Sequence, residues 1–151
     1  MLSTIETLVM TLTAVVSLAP EPGPLPSFAE GETQTVGVTD AAVKKTLVEA
    51  FAAALVGDFK RYAVLVHASE KTTPAQLTQL ERFTFARFVR QSVWYLKDEK
   101  DARSFVIERS EDLGGDKVRV FLKDVQHPSR PSVPITFGTA AGGAVILSNS
   151  L

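Results

Sequence analysis

Ser92-Val-Trp-Tyr-Leu-Lys97 is where the apolar period of this chain changes from 3.6 to 2, and Lys117-Val-Arg-Val-Phe-Leu-Lys123 shows the new period most plainly. In the second run Val118, Val120 and Leu122 share one face, and Lys117, Arg119, Phe121 and Lys123 the other. That alternation is the mark of a strand with one buried side. Strands are expected over Ser92–Lys97, Arg103–Arg109, Lys117–Val125 and Ala144–Ser148, with Val133–Phe137 as a fifth. Asp98–Asp101, Leu113-Gly114-Gly115-Asp116 and Gly138–Gly143 fall between them as turns. Short polar connections of this kind favour antiparallel hairpins over helical crossovers.

Upstream the period is helical. Thr39-Asp40 opens a first helix whose Val43, Leu47, Ala50, Phe51 and Ala54 lie on one face. Gly57 is placed to end it, and Asp58 to cap a second, shorter helix carrying Phe59, Tyr62, Ala63, Leu65 and Val66. A third helix starts with Thr73 as cap, Pro74 in the first turn and Gln76 at the capping-box position. Its apolar side is broad, with Leu77, Leu80, Phe83, Thr84, Phe85 and Phe88, and with Arg82, Arg87 and Arg90 interspersed. Helices first and a meander afterwards predict an α+β domain over residues 38–151: three helices packed on one face of an antiparallel sheet of four to five strands.

The preceding residues read differently. Residues 1–19 are apolar, and Pro20, Pro22, Pro24 and Pro26 then make residues 20–37 a stiff, extended spacer. Two accounts of residues 1–19 stand side by side. Ile5, Leu8, Val9, Leu12, Val15, Val16 and Ala19 keep the spacing of an amphipathic helix, which would dock Ile5, Leu8, Leu12 and Val16 on a protein partner or a second copy. Alternatively the run is an export signal cleaved after Ser27-Phe28-Ala29, which would make the product a periplasmic or otherwise exported domain. Its start carries Glu6 and no Lys or Arg, which speaks against that account. Membrane contact is disfavoured, since a span needs about 20 apolar residues and a surface helix needs basic residues on its polar face.

Composition narrows the function classes. The 151 residues are 45% hydrophobic and 22% charged, a globular balance for one domain with an appendage. The absence of cysteine removes disulfides, thiolate catalysis and Cys-ligated metals, and two histidines are too few for a His-rich metal site. No cofactor is expected. A net charge of −1 gives nucleic acid no electrostatic reason to bind. Residues 1–43 hold five acids and no Lys or Arg, while residues 44–151 hold 16 bases against 12 acids, which sets a boundary near Asp40.

The order of these elements, with Val43–Leu55, Gly57-Asp58, Phe59–Leu65 and the ending Gly142-Gly143-Ala144-Val145-Ile146, resembles the nuclear transport factor 2-like (cystatin-like cone) superfamily. It is similar in particular to small bacterial members without established activity. The superfamily's last strand often begins Gly-Gly-Trp followed by a basic residue; here Ala144 and Val145 stand at those places. The resemblance implies a curved, cone-shaped sheet around an apolar pocket, used for catalysis by some members and for binding alone by many. A lipoprotein is ruled out by the absence of cysteine.

Few residues could carry chemistry in such a pocket. His67 is the acid/base candidate, with Glu70 the acid nearest in sequence, although a histidine at a helix end has an ordinary electrostatic role there. His127 sits in the loop His-Pro-Ser-Arg-Pro-Ser, and Asp58 is accounted for by capping. Tyr62, Phe85, Phe88 and Trp94 are the candidates for ligand contact, with core packing as their ordinary use. Trp94 is expected to face the helices in phase with Leu96, and Tyr95 the opposite side. Arg82, Arg87, Arg90, Lys97, Arg103, Arg109 and Arg119 read as a solvated basic face. No phosphate loop, nucleophile elbow or His-Glu-x-x-His helix is present. The expected function is a non-enzymatic binding or interaction module with an apolar cone for a small ligand and an N-terminal arm for a partner. The alternative is a small isomerase- or dehydratase-like enzyme with an acid/base in the cone.

Overall fold

The Thr39 hydroxyl accepts the Ala42 N–H at 3.2 Å and so opens α1, Asp40–Val56, in the computed structural model, which describes residues 39–140 and 143–151. Every apolar position expected to face inward on α1 is buried, from Val43 through Phe51 to Ala54. Gly57 ends the helix in the left-handed conformation, φ 69°, and its N–H reaches back to the Ala53 and Ala54 carbonyls. Asp58 then accepts the Arg61 N–H and starts α2, Phe59–Leu65. Beyond α2 the chain extends at Val66, runs parallel to Ile146, and turns through a short 3₁₀ segment, Ala68–Lys71.

The third helix is longer than its sequence suggests. Thr73 and Gln76 form the expected capping box at the head of α3, Pro74–Gln79. Leu80–Phe85 follows as a π turn, and α4, Ala86–Tyr95, continues from it. Ser92–Tyr95 is therefore helical, where a strand over Ser92–Lys97 is expected from the sequence. The reason is the spacing of Phe88, Ser92 and Tyr95, which puts all three on the buried side of one helix. The chain becomes extended only at Leu96, which bridges to Phe105.

Four antiparallel strands follow in sequential order: β1 Ile107–Gly114, β2 Lys117–Leu122, β3 Val133–Ala140 and β4 Gly143–Asn149. The first strand thus begins at Ile107, because Arg103 and Ser104 are held in the preceding turn by Asp101 and Asp98. Gly115 and Asp116, both at positive φ, form the two-residue connection from β1 to β2. Such a turn matches the right-handed twist of a hairpin, and glycine adopts its backbone without a Cβ penalty. The expected turn at Gly138–Gly143 is shorter, since β3 runs on to Ala140.

The domain is α+β, with three helices (α1, α2 and the continuous α3–α4) and a four-stranded antiparallel sheet. Val120, Leu122, Ile135, Phe137, Ala144 and Ile146 form the buried face of that sheet. They join Leu47, Phe51, Tyr62 and Phe88 in one core, where each fully buried large side chain contributes roughly 1.5–3 kcal/mol. The opposite face mixes charged side chains with Phe121, Val145 and Leu147. Arg109 lies 3.7 Å over the Phe121 ring and pairs with Glu111, which Arg119 approaches at 4.0 Å. The arm of residues 1–19, with Ile5, Leu8, Leu12 and Val16, and the spacer of residues 20–37 lie outside the described residues.

Candidate functional site

Tyr62, Phe85 and Phe88 come together. The Tyr62 ring centroid is 5.0 Å from that of Phe85 and 5.6 Å from that of Phe88, and Phe51 extends the cluster at 5.2 Å from Phe88. Trp94 does not join them. It sits at the far end of α4, edge-on to the His127 ring at 5.5 Å, with the Arg130 guanidinium 5.4 Å from its centroid. Tyr95 rather than Trp94 is buried, which reverses the expected assignment and follows from the helical geometry there. Phe83, expected on the apolar side, is 69% exposed.

Two departures from regular structure set up this arrangement. The first is the π turn, in which the Ala86 N–H reaches the Glu81 carbonyl five residues back. The extra residue lets Leu80, Phe85 and Phe88 all face inward and turns Phe83 outward. The second is a bulge in β4. Thr136 pairs with Ser148 but Phe137 pairs with Ile146, so Leu147 is unmatched. Without it the side chains would alternate and Asn149 would point away from the helices. With it, Ile146 and Asn149 are both buried, and Asn149 reaches Tyr62. Both kinds of irregularity are enriched at functional sites.

Between the two lies a cleft of about 200 Å³, lined by Tyr62, Val66, Leu80, Thr84, Ile146 and Asn149, with Glu70 and Ser148 exposed among its lining residues. Its buried polar residues are Tyr62 and Asn149, which bond to each other. Tyr62 is 0% exposed, and its Oη accepts the Asn149 Nδ2–H at 3.0 Å. The amide orientation is set by a second bond, in which the Leu151 N–H donates to Asn149 Oδ1 at 2.9 Å. Burial pushes the Tyr62 hydroxyl above the usual phenol range, while the Asn149 bond and the nearby Arg87 pull it partly back. Arg87 donates to the Leu151 and Asn149 carbonyls at 2.7 and 2.8 Å, pinning the end of β4 beneath the helix.

The two histidines occupy different settings. His67 lies outside the Tyr62 cleft, in a shallow trough with Asp116, Lys117, Thr139 and Leu147. Its Nδ1 accepts the Ser69 N–H at 3.1 Å and is 2.8 Å from the Ser69 hydroxyl. In the neutral ring the proton then belongs on Nε2, and the lone pair a base would need is already engaged. The Glu70 N–H donates to the His67 carbonyl at 3.0 Å, but its carboxylate makes no hydrogen bond to the His67 ring among the described residues, and Glu70 lines the Tyr62 cleft. His127 is oriented by a carboxylate: its Nδ1 is 3.0 Å from Oδ2 of Asp124, which is 1% exposed. Asp124 also accepts the Gln126 and His127 N–H groups, so it organises the loop that follows β2.

Sequence reasoning missed Asn149 and Asp124. No pattern announces a bulge, so Asn149 reads as a strand end. Asp124 falls within the run Lys117–Val125 expected to be strand. Among the described residues no group of three or more His, Asp or Glu could hold a metal, and no helix is long and apolar enough to cross a membrane. Compared with protein-family models, curated proteins and solved structures, the chain matches none.

Proposed function

We propose that residues 38–151 form a non-enzymatic binding module of the nuclear transport factor 2-like type, which takes a small apolar ligand in the Tyr62 cleft. The observation that carries this reading is the cleft of about 200 Å³ between the two irregular segments, backed by the buried Tyr62–Asn149 pair. The rest of the space between helices and sheet is filled by Phe51, Phe88, Leu122, Ile135 and Phe137, so the ligand is small. A cone-shaped curvature of the sheet belongs to the same proposal and is supported by the order of helices and hairpins. Catalysis is not part of this proposal; the acid/base candidate His67 lies outside the Tyr62 cleft. The isomerase- or dehydratase-like alternative rests on His67. Its test is a His67→Ala variant, and loss of a measured activity with stability intact would favour the enzyme.

The proposed module has a second contact, the arm. Ile5, Leu8, Leu12 and Val16 at helical spacing would dock on a protein partner or a second copy, with no nucleic acid involved. Leu12→Asp should then dissociate the complex and leave the α+β domain folded; a complex that survives removes the arm from the proposal. The mass of the protein from its native host distinguishes a retained arm from one cleaved after Ala29. For the cleft, the amide spectrum of the full chain should respond to millimolar small apolar compounds at Val66, Thr84 and Asn149. A spectrum unmoved at those residues by every compound would remove the cleft as a binding site.

A further inference from the structure

The two histidines are held in opposite tautomers, and only one of them presents a free lone pair. Nδ1 of His127 lies 3.1 and 3.0 Å from the two oxygens of Asp124, whose side chain is 1% exposed. A carboxylate only accepts, so Nδ1 carries the hydrogen and the lone pair of the neutral ring falls on Nε2. That Nε2 makes no hydrogen bond among the described residues, and the His127 side chain is 40% exposed. His67 is the reverse, since its Nδ1 accepts the Ser69 N–H and its hydrogen is left on Nε2. The carboxylate behind His127 is itself fixed. Its Oδ1 accepts the Gln126 and His127 N–H groups at 3.1 and 2.8 Å, and its Oδ2 is 3.7 Å from Nη1 of Arg130. The Arg130 N–H bonds to the His127 carbonyl at 2.9 Å, so the two side chains leave the same turn. Both also lie on Trp94, the imidazole edge-on at 5.5 Å and the guanidinium 5.4 Å from the ring centre. No side-chain N–H of Arg130 donates a hydrogen bond among the described residues.

We infer that His127 is a phosphoryl-acceptor site, with Nε2 as the nucleophile, Asp124 as the positioning residue and Arg130 as the group that holds the phosphoryl oxygens. This goes beyond the reading of the Tyr62 cleft and does not depend on it. An imidazole whose Nδ1–H is fixed on a carboxylate attacks through Nε2 without rearranging, and the carboxylate supports the positive charge that develops on the ring. Guanidinium N–H groups match phosphoryl oxygens in both geometry and charge. An uncharged electrophile gains nothing from Arg130, so the site favours an anionic one. With phosphoramidate as donor the step balances without oxidation or reduction. The Nε2–P bond forms as the P–N bond of the donor breaks, and the donor nitrogen leaves as ammonia. The ring, cationic at that point, loses one proton through solvent to the ammonia, which becomes ammonium.

The test uses the full chain and potassium phosphoramidate, followed by ³¹P and imidazole ¹⁵N resonances. His127 should take up the phosphoryl group on Nε2 about tenfold faster than His67 is labelled, the scale of the one Ser69 hydrogen bond that His67 must break to react. Arg130→Gln should slow that labelling about threefold, the scale of one exposed charge pair. The same variant should leave the rate with diethyl pyrocarbonate, an uncharged reagent for histidine, within about twofold. Asp124→Asn keeps an oxygen for the two loop N–H groups but turns an amide donor toward Nδ1, and should bring His127 down to the His67 rate. Because that variant also touches the loop, a further readout needs no mutation: the wild-type ¹⁵N resonances should place the hydrogen on Nδ1 of His127 and on Nε2 of His67. A hydrogen on Nε2 of His127, or equal labelling of the two histidines, overturns the inference. A phosphoramidate rate unmoved by Arg130→Gln overturns the phosphoryl assignment, and so does equal slowing of both reagents, which would make Arg130 a loop contact only. If no phosphohistidine forms, the site is overturned outright and the reading of the Tyr62 cleft is unaffected.

Discussion

The α1 side of the core and the Tyr62 side are built from the same kinds of residue but by different rules. On α1, Val43, Leu47, Ala50, Phe51 and Ala54 follow an unbroken helical period, and the helix lies against β4 ahead of its bulge, where the Thr46 hydroxyl donates to the Ala144 carbonyl at 2.8 Å. On the Tyr62 side one residue is inserted in the third helix and one in β4, and each insertion shifts every later side chain to a new face. The regular side buries its apolar stripe to 0–2% exposure, and its clefts, of about 210 and 310 Å³, open along the edges of α1. The irregular side leaves a cleft with a polar floor. Regularity here goes with stability, and irregularity with a candidate site.

That comparison can be broken by mutation. The largest effect belongs to the regular core: Phe88→Ala removes a 0%-exposed ring shared by both sides and should cost about 3–5 kcal/mol in denaturant unfolding. A loss below 1 kcal/mol would mean the core is looser than its burial implies. Asn149→Leu keeps the volume but deprives Tyr62 Oη and the Leu151 N–H of their partner, for an expected loss of about 1–3 kcal/mol. Unchanged stability there would detach the β4 bulge from the site.

Alkaline pH sharpens the comparison further. The Tyr62 pKa is raised from 10.0 chiefly by burial, so the unfolded chain ionises first as pH climbs. The contribution of Tyr62 is intact below about pH 10 and is lost as pH rises through the folded-state value. Tyr62→Phe should make the high-pH limb of a stability profile shallower, with part of the slope surviving because Tyr95 is raised in the same direction. An unaltered limb would show that another group governs it. The smallest effect is expected at Phe83→Ala, within about 0.5 kcal/mol, because the π turn has already placed that ring in solvent.

How much of this was legible in the sequence follows the same division. The caps at Thr39, Asp58 and Thr73, the buried face of α1 and the β1–β2 turn all rest on local rules, and the chain displays them directly. Ser92–Lys97 misled because a short apolar run fits period 2 as well as the end of a helix, and only the packing of Ser92 and Tyr95 decides it. The rings of Phe85 and Phe88 lie beside Tyr62, whereas Trp94, which strand phase would turn toward the helices, belongs to the Asp124 loop. Asn149 could not be found. Its inward direction depends on the unmatched Leu147, which is a property of the pairing between two strands and of neither alone.

The placement of Trp94 has a practical consequence. It is the chain's single tryptophan, and it lies against His127 and Arg130 rather than beside Tyr62. Its carbonyl receives the Val125 and Gln126 N–H groups, so the indole is tied to the loop that Asp124 organises. Intrinsic fluorescence of this protein is therefore a reporter of loop docking. A ligand entering the cleft would leave the emission nearly still, and an emission-detected melt would record the release of that loop, at a temperature that need not coincide with loss of the Tyr62–Asn149 contact.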